Sequence, residues 1–206
     1  MTRTSSPTVR WATKGDTAGA VRAFAQAFRG DPFWDWMFPE NPRDVTRTAR
    51  FYAIDVGLGH IPAGRCEVAV VEGVIAGAAI WYPPHEAGTR PMEFLRATPH
   101  ILRLVGLRRA IALSRAFDAM VAAAPRRPHW YLSDLATEPR YQGRGVASAI
   151  LRSGIRRAEA DGLPIYLESS KTENIPVYEH FGFHATADIT TDGLPTMHGM
   201  IREPTG

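Results

Sequence analysis

The chain has 206 residues, a net charge of +3 and 45% hydrophobic residues, values typical of a globular domain with a substantial core. Basic residues cluster only as pairs such as Arg108-Arg109, which argues against a nucleic-acid partner. The one cysteine, Cys66, excludes an internal disulfide. The polar first residues lack the apolar segment of a signal peptide, and no apolar run reaches membrane-spanning length. We therefore expect one cytoplasmic domain, residues 1–206, that acts without nucleic acid, membrane or metal as a monomer or homodimer.

The first part of the chain mixes strand and helix patterns. A cap at Asp16 predicts a helix start, and a hairpin is indicated by two apolar runs around Glu72-Gly73. Three prolines break the aromatic stretch 31–42, which predicts a loop or short turns. In chain order, the predicted elements are a strand at 9–12, a helix after Asp16, the loop at 31–42, a helix at 44–58, strands at 67–71 and 74–82, and helices at 92–105, kinked or split at Pro99, and 108–124.

The second part predicts a strand at 130–136, a helix at 147–160 ended by Gly162, a strand at 164–169, a short helix from Asn174 to His180, and strands at 183–189 and 197–202. The order is β-α-α-β-β-(α-α)-β-α-β-α-β-β. It predicts a mixed α/β sheet with a helical insertion at about 91–125, before the fourth strand.

The most informative segment is the turn around Gly143 and Gly145, which opens the predicted helix 147–160. Free amides and the dipole at a helix N-terminus make such a turn suitable for a pyrophosphate. A Walker loop needs Lys and then Ser or Thr after the second glycine, and neither follows here. A dinucleotide fingerprint is nearly matched through Ser148, but residues 137–142 separate the glycines from the strand, and only one βαβ unit surrounds them.

The same turn fits a third pattern, Gln-x-x-Gly-x-Ala, at Gln142, Gly145 and Ala147. This resembles the acetyl-CoA loop of the GNAT-type N-acetyltransferases. The resemblance implies that the turn holds the cofactor pyrophosphate, and that the preceding strand splays from the next one and pairs with the pantetheine arm. The residues implied in cofactor binding are Leu135, Ala136, Thr137, Gln142, Gly143, Arg144, Gly145, Val146, Ala147 and Ser148.

A second motif, from Asn174 to Phe183, resembles the Asn…Tyr…Gly-Phe signature of the same family. Asn174 and Tyr178 are four residues apart and so share a helix face. The resemblance implies that Asn174 bonds the pantetheine arm and that Tyr178 faces the cofactor sulfur. The two motifs imply a GNAT-type fold, with a splayed central sheet flanked by helices and an acetyl-CoA-binding and catalytic half at 129–189. Three further segments are similar to the puromycin N-acetyltransferase branch of this family: Thr8-Val9-Arg10, Leu167-Glu168-Ser169 and Phe181-Gly182-Phe183.

Direct acetyl transfer to an amine requires a proton acceptor, a donor to the oxyanion and a proton for the thiolate. A phenol with a pKa of ~10 stays protonated and can donate to a thiolate, so Tyr178 is the candidate general acid. Glu168 ranks ahead of Asp134 as the carboxylate that accepts the amine proton, directly or through water. A backbone amide around Leu135 is expected to meet the oxyanion.

We expect the acceptor to be a small amine, with a puromycin-like antibiotic among the candidates. Aromatic residues are the candidates for its pocket, although core packing explains them equally well: Trp34, Trp36, Phe38, Trp81 and Tyr82. A protein N-terminus or lysine is the alternative acceptor, which an open groove would favour. An acyl-CoA-binding sensor without turnover is a third possibility, and the presence of both Tyr178 and Glu168 argues against it.

Overall fold

The structure is a computed structural model that describes residues 6–86, 92–191 and 193–205. The strands are β1 (Thr8–Trp11), β2 (Cys66–Val71), β3 (Val74–Tyr82), β4 (Trp130–Thr137), β5 (Ile165–Ser169), β6 (His184–Ile189) and β7 (Met197–Arg202). The helices are α1 (Thr17–Ala27), α2 (Pro32–Met37), α3 (Val45–Ile54), α4 (Met92–Val105), α5 (Leu107–Ala123), α6 (Val146–Asp161) and α7 (Ile175–His180). None of the helices in these ranges is long and apolar enough to cross a membrane.

The predicted mixed α/β architecture is confirmed, with one seven-stranded sheet in the order β1-β2-β3-β4-β5-β7-β6. The predicted insertion forms α4 and α5, apart from residue 91, which lies outside the described residues. The prediction of a loop or short turns at 31–42 was wrong for α2. Asp31 caps this helix by accepting a hydrogen bond from the amide of Phe33, and Pro32 occupies the first helical position, where it needs no partner. Pro99 lies inside α4 without splitting it.

The centre of the sheet splays between β4 and β5. These strands pair in parallel only from Trp130↔Ile165 to Leu132↔Leu167. On the other side of β4 the register with β3 shifts between Ile80 and Trp81, which leaves Ser133 as an extra, bulged residue. Because a bulge bends its strand, it accounts for the divergence of β4 from β5 after Leu132.

The sheet separates two hydrophobic cores. One packs α1 and α3 against one face and includes Phe24 and Tyr52, whose rings lie 4.5 Å apart. The other packs α6 against the opposite face through Val146 and Ile150. A Cβ atom at Gly77 would lie 2.6 Å from a side-chain carbon of Val146 and from the Ala136 carbonyl oxygen. Glycine at this position in β3 therefore lets the start of α6 sit directly against the sheet.

Candidate active site

The splay exposes backbone groups of β4. Glu138 donates its amide to the carbonyl of Ala76, on the β3 side. Hydrogen-bonding direction alternates along an antiparallel pair, and the register from Ile80↔Asp134 to Gly77↔Thr137 is regular. The amides of Leu135 and Thr137 therefore point away from β3, into the gap beside β5. The hydroxyl of Thr137 is buried without a hydrogen-bond partner among the described residues.

The glycine turn continues from this gap to the N-terminus of α6. Gly143 and Gly145 have φ values of 73° and 76°, and neither would bring a Cβ atom within 4 Å of another group. The backbone conformation therefore favours glycine at both positions. The space in front of the turn is open. Ala149 donates to the Gly145 carbonyl, so the amides before it lack an intrahelical partner. The slot and turn together fit the pantetheine arm and pyrophosphate of acetyl-CoA.

A cavity of about 1070 Å³, including its open mouth, lies on the α1–α3 side of the splay. Five of the residues predicted to be catalytic or cofactor-binding line it: Asp134, Leu135, Glu168, Asn174 and Tyr178. The helical insertion also contributes to the wall through Leu113, Phe117 and Met120 of α5. The fold therefore brings the splayed end of β4, the Asn174–Tyr178 motif and the two candidate carboxylates around one space, whereas the glycine turn at 142–148 is not part of this lining.

Asp134 is held in a defined orientation. Its Oδ1 accepts a 2.6 Å hydrogen bond from the hydroxyl of Tyr52, and its Oδ2 accepts one of 2.7 Å from Ser133. Burial raises the pKa of Asp134, and the two hydroxyl donors oppose that rise. The carboxylate is thereby oriented by two neutral groups.

Glu168 and Tyr178 have the protonation behaviour that the proposed chemistry requires. Burial raises the pKa of Glu168 to about 7, against the opposing effect of the neighbouring phenol of Tyr131. A carboxyl group with that pKa can accept and release a proton near neutral pH. Burial also raises the pKa of Tyr178, and the charges of Asp134 and Asp31 add to the effect. Tyr178 therefore stays protonated and available as a donor.

Sequence reasoning missed an Asp–His pair in the cavity wall. After α3 the chain forms a π-helical segment, Asp55–His60. His60 Nε2 lies 3.1 Å from Asp55 Oδ2, and His60 Nδ1 is buried without a partner among the described residues. Burial lowers the pKa of His60, but the charge and hydrogen bond of Asp55, together with the charge of Asp134, outweigh it and give a net rise. π-Helical turns are frequent at functional sites, but the sequence carries no local signal for this one.

The five predicted pocket aromatics are divided between the cavity and other places. Trp34 and Tyr82 line the cavity. Phe38 is buried in the core under the guanidinium of Arg47, 4.7 Å from the ring centroid. Trp36 lines a separate surface cavity with Arg109. Trp81 is fully buried on the α6 face of the sheet, where its indole occupies the space that a Cβ at Gly154 would need.

Cys66 is placed away from the cavity lining and is buried. Burial raises the pKa of its thiol to about 12. A thiol is nucleophilic only as the thiolate, so Cys66 is unsuited to carrying an acetyl group as an intermediate.

Comparison with known proteins places these features in a wider context. Residues 21–183 match the model of the acetyltransferase (GNAT) family. An uncharacterized N-acetyltransferase of Schizosaccharomyces pombe is 38% identical over 78 residues, which are 36% of this chain and 32% of that protein, so the match spans about a third of the relative's length.

Two solved structures share the fold over nearly all of their length. The crystal structure described as histone acetyltransferase HPA2 and related acetyltransferase of Corynebacterium glutamicum has 28% identity, a TM-score of 0.72 and 98% coverage of both chains. Arylalkylamine N-acetyltransferase 2 of Aedes aegypti has 13% identity and a TM-score of 0.66, with 98% of this chain and 100% of that chain covered. At 13% identity the likeness shows the fold alone.

Proposed function

Because the chain belongs to the acetyltransferase (GNAT) family, we propose that it transfers an acetyl group directly from acetyl-CoA to the amine of a small molecule. The observation that carries this proposal is one cavity that joins the splayed edge of β4 to Glu168 and Tyr178. Acetyl-CoA supplies the activated acetyl thioester. The amides at the start of α6 would hold its pyrophosphate, and the amides of Leu135 and Thr137, together with Asn174, would hold its pantetheine arm.

Each remaining step is assigned to a side chain or amide of this protein. Glu168 takes a proton from the entering ammonium group. Because the pKa of such a group lies about three units above that of Glu168, this transfer costs ~4 kcal/mol. The Leu135 amide donates to the thioester oxygen as charge develops there. The Tyr178 hydroxyl donates to the departing sulfur. The nitrogen of the tetrahedral intermediate gives up a second proton, which restores the Tyr178 hydroxyl through solvent. The products are the acetylated amine and protonated CoA, with one proton left on Glu168 for release to solvent.

The shape of the cavity favours a small acceptor over a polypeptide. α2, α3 and α5 lie over the splay and contribute Trp34, Phe51 and Phe117 to its lining. A polypeptide acceptor would require a groove that admits extended chain, on one side of the reacting amine for an N-terminus and on both sides for a lysine. The helical insertion occupies part of that space.

We expect Gly145→Val to weaken acetyl-CoA binding by about 10-fold or more, measured by calorimetry. At φ 76° a β-branched residue is strained, so the turn must change shape, and its amides lose their alignment. Gly73→Val is the matched control. Gly73 has φ 78° in the β2–β3 turn and equally open surroundings, so the strain is the same but acetyl-CoA affinity should not change. Equal losses of affinity in both variants would contradict the assigned role of the turn.

Turnover distinguishes the enzyme from a sensor. We expect release of CoA thiol when the protein is incubated with acetyl-CoA and a panel of primary amines, which includes puromycin because of the resemblance described above. A lysine-containing peptide in the same panel tests the polypeptide alternative. Tight acetyl-CoA binding with no thiol release for any amine would favour the sensor.

A further inference from the structure

The four carboxylates that line the cavity differ in their direct partners. Asp31 Oδ2 lies 3.8 Å from the ammonium of Lys171, and Asp55 Oδ2 lies 3.1 Å from His60 Nε2. Each of these two carboxylates therefore has a basic side chain against it. No lysine or arginine is among the described residues that line the cavity itself.

Asp134 has a different environment, because its direct hydrogen-bond donors are the neutral hydroxyls of Tyr52 and Ser133, at 2.6 and 2.7 Å. Glu168 also has phenol partners, Tyr131 and Tyr166, but it is the base in the proposed transfer. Hydroxyl donors fix the direction of a carboxylate without cancelling its charge. His60 affects Asp134 only through longer-range electrostatics. A partly buried carboxylate without a cation in contact is a favourable site for an ammonium group.

The bulge at Ser133 explains why this carboxylate faces the cavity. Leu132 packs in the core on the α6 side, and in a regular strand the residue two positions later would face the same side. The extra residue at position 133 reverses that alternation. Asp134 therefore reaches Tyr52 on the α3 side.

Aromatic rings form much of the surrounding wall. The rings of Trp34 and Tyr52 have centroids 5.0 Å apart, and those of Trp34 and Phe51 are 4.9 Å apart. Phe28 and Phe117 also line the cavity. Aromatic faces bury an apolar body, and they attract an ammonium group less strongly than a carboxylate does, so they compensate a second charge only weakly.

The assignment of an acceptor rests on the proposed acetyl transfer. We propose that the acceptor is a monoamine with a compact apolar or aromatic body, which enters as the ammonium ion and is anchored by Asp134. Tyr52 and Ser133 are positioning residues for this anchor. Glu168 is then left to take the proton. A second cation on the acceptor meets carboxylates at Asp31 and Asp55 that already have basic partners, so diamines are poor acceptors.

A pair of amines matched in size tests this assignment. Hexylamine and 1,5-diaminopentane differ by a terminal methyl group in place of a second ammonium group. We expect kcat/KM for hexylamine to exceed that for the diamine by about 10-fold or more, with phenethylamine also a good acceptor. Asp134→Asn should raise KM for hexylamine by about 10- to 100-fold while acetyl-CoA affinity holds. The asparagine oxygen can still accept from Tyr52, so the fold is preserved.

Two further variants test the positioning role of Tyr52 and provide a control. Tyr52→Phe should raise KM for hexylamine by about 3- to 10-fold with little change in kcat, because the anchor loses one of its two donors. Asp188→Asn, on β6 outside the cavity, should change neither constant. Preference for the diamine, or an unchanged KM in Asp134→Asn, would overturn the proposal.

The outcome can be separated from that of the proposed function. If no amine is acetylated, hexylamine binding to the protein with CoA is measured by calorimetry. Binding that weakens about 10-fold or more in Asp134→Asn would support the anchor while the proposed function fails. Equal binding to both proteins, or none to either, would overturn the anchor as well.

Discussion

Glu168→Gln is expected to lower kcat for amine acetylation by about 100- to 1000-fold and to leave acetyl-CoA affinity unchanged. The substitution keeps the size and the hydrogen-bond acceptor of the side chain but removes its ability to take a proton. Glu168 is the described cavity residue whose pKa, raised by burial to about 7, matches that task at neutral pH. Steady-state CoA thiol release and calorimetric binding measure the two quantities separately.

The pH dependence provides an independent check. As pH falls through about 7, Glu168 takes up a proton and can no longer act as the base, so kcat of the wild-type protein should fall by about 10-fold per pH unit below that value. Above it, kcat should level off. The acid limb should be absent in Glu168→Gln. Glu179→Gln, an exposed position on α7, is the control and should keep both rate and limb. If Glu168→Gln kept the wild-type kcat and the fall of kcat at acid pH, Glu168 would not be the base.

Tyr178→Phe is expected to lower kcat by about 100-fold or more. The ring keeps its edge contact with Phe183, 5.8 Å between centroids, so acetyl-CoA affinity and thermal stability should stay near wild type. What is lost is the hydroxyl that donates to the departing sulfur. Because burial raises the pKa of Tyr178, the wild-type rate should not decline on the alkaline side up to about pH 9. Near-normal turnover in Tyr178→Phe would show that another group protonates the sulfur.

The glycine turn and the helix that carries Asn174 and Tyr178 were predictable because their signals are local. Gly145 occupies a left-handed conformation, which glycine adopts without strain. Asn174 and Tyr178 are one helical turn apart, and both line the cavity. Short-range patterns of this kind depend little on how distant segments pack.

The cavity wall around Asp134, Asp55 and His60 depends on irregular backbone that the sequence pattern does not reveal. Strict alternation would place Asp134 on the same face as Leu132, and only the bulge at Ser133 sends it to the cavity. Asp55 and His60 would be about 140° apart on an α-helix, and the π-helical segment brings them into contact.

The pocket aromatics illustrate the same limit. Trp81 and Tyr82 are adjacent at the end of the predicted hairpin, and neighbouring residues of a strand face opposite sides. Tyr82 lines the cavity, whereas Trp81 packs under α6 against Gly154. Composition alone could not determine which of the two rings would meet an acceptor.

The most direct test of acetyl transfer follows the acetyl group itself. The protein is incubated with acetyl-CoA labelled in the acetyl group and with phenethylamine or hexylamine, and the amine is then examined by mass spectrometry. We predict labelled N-acetyl product in equal amount to the CoA released, and about 100-fold slower formation with Tyr178→Phe. CoA release without labelled amine, or product formed as fast by Tyr178→Phe as by the wild type, would contradict the proposed mechanism.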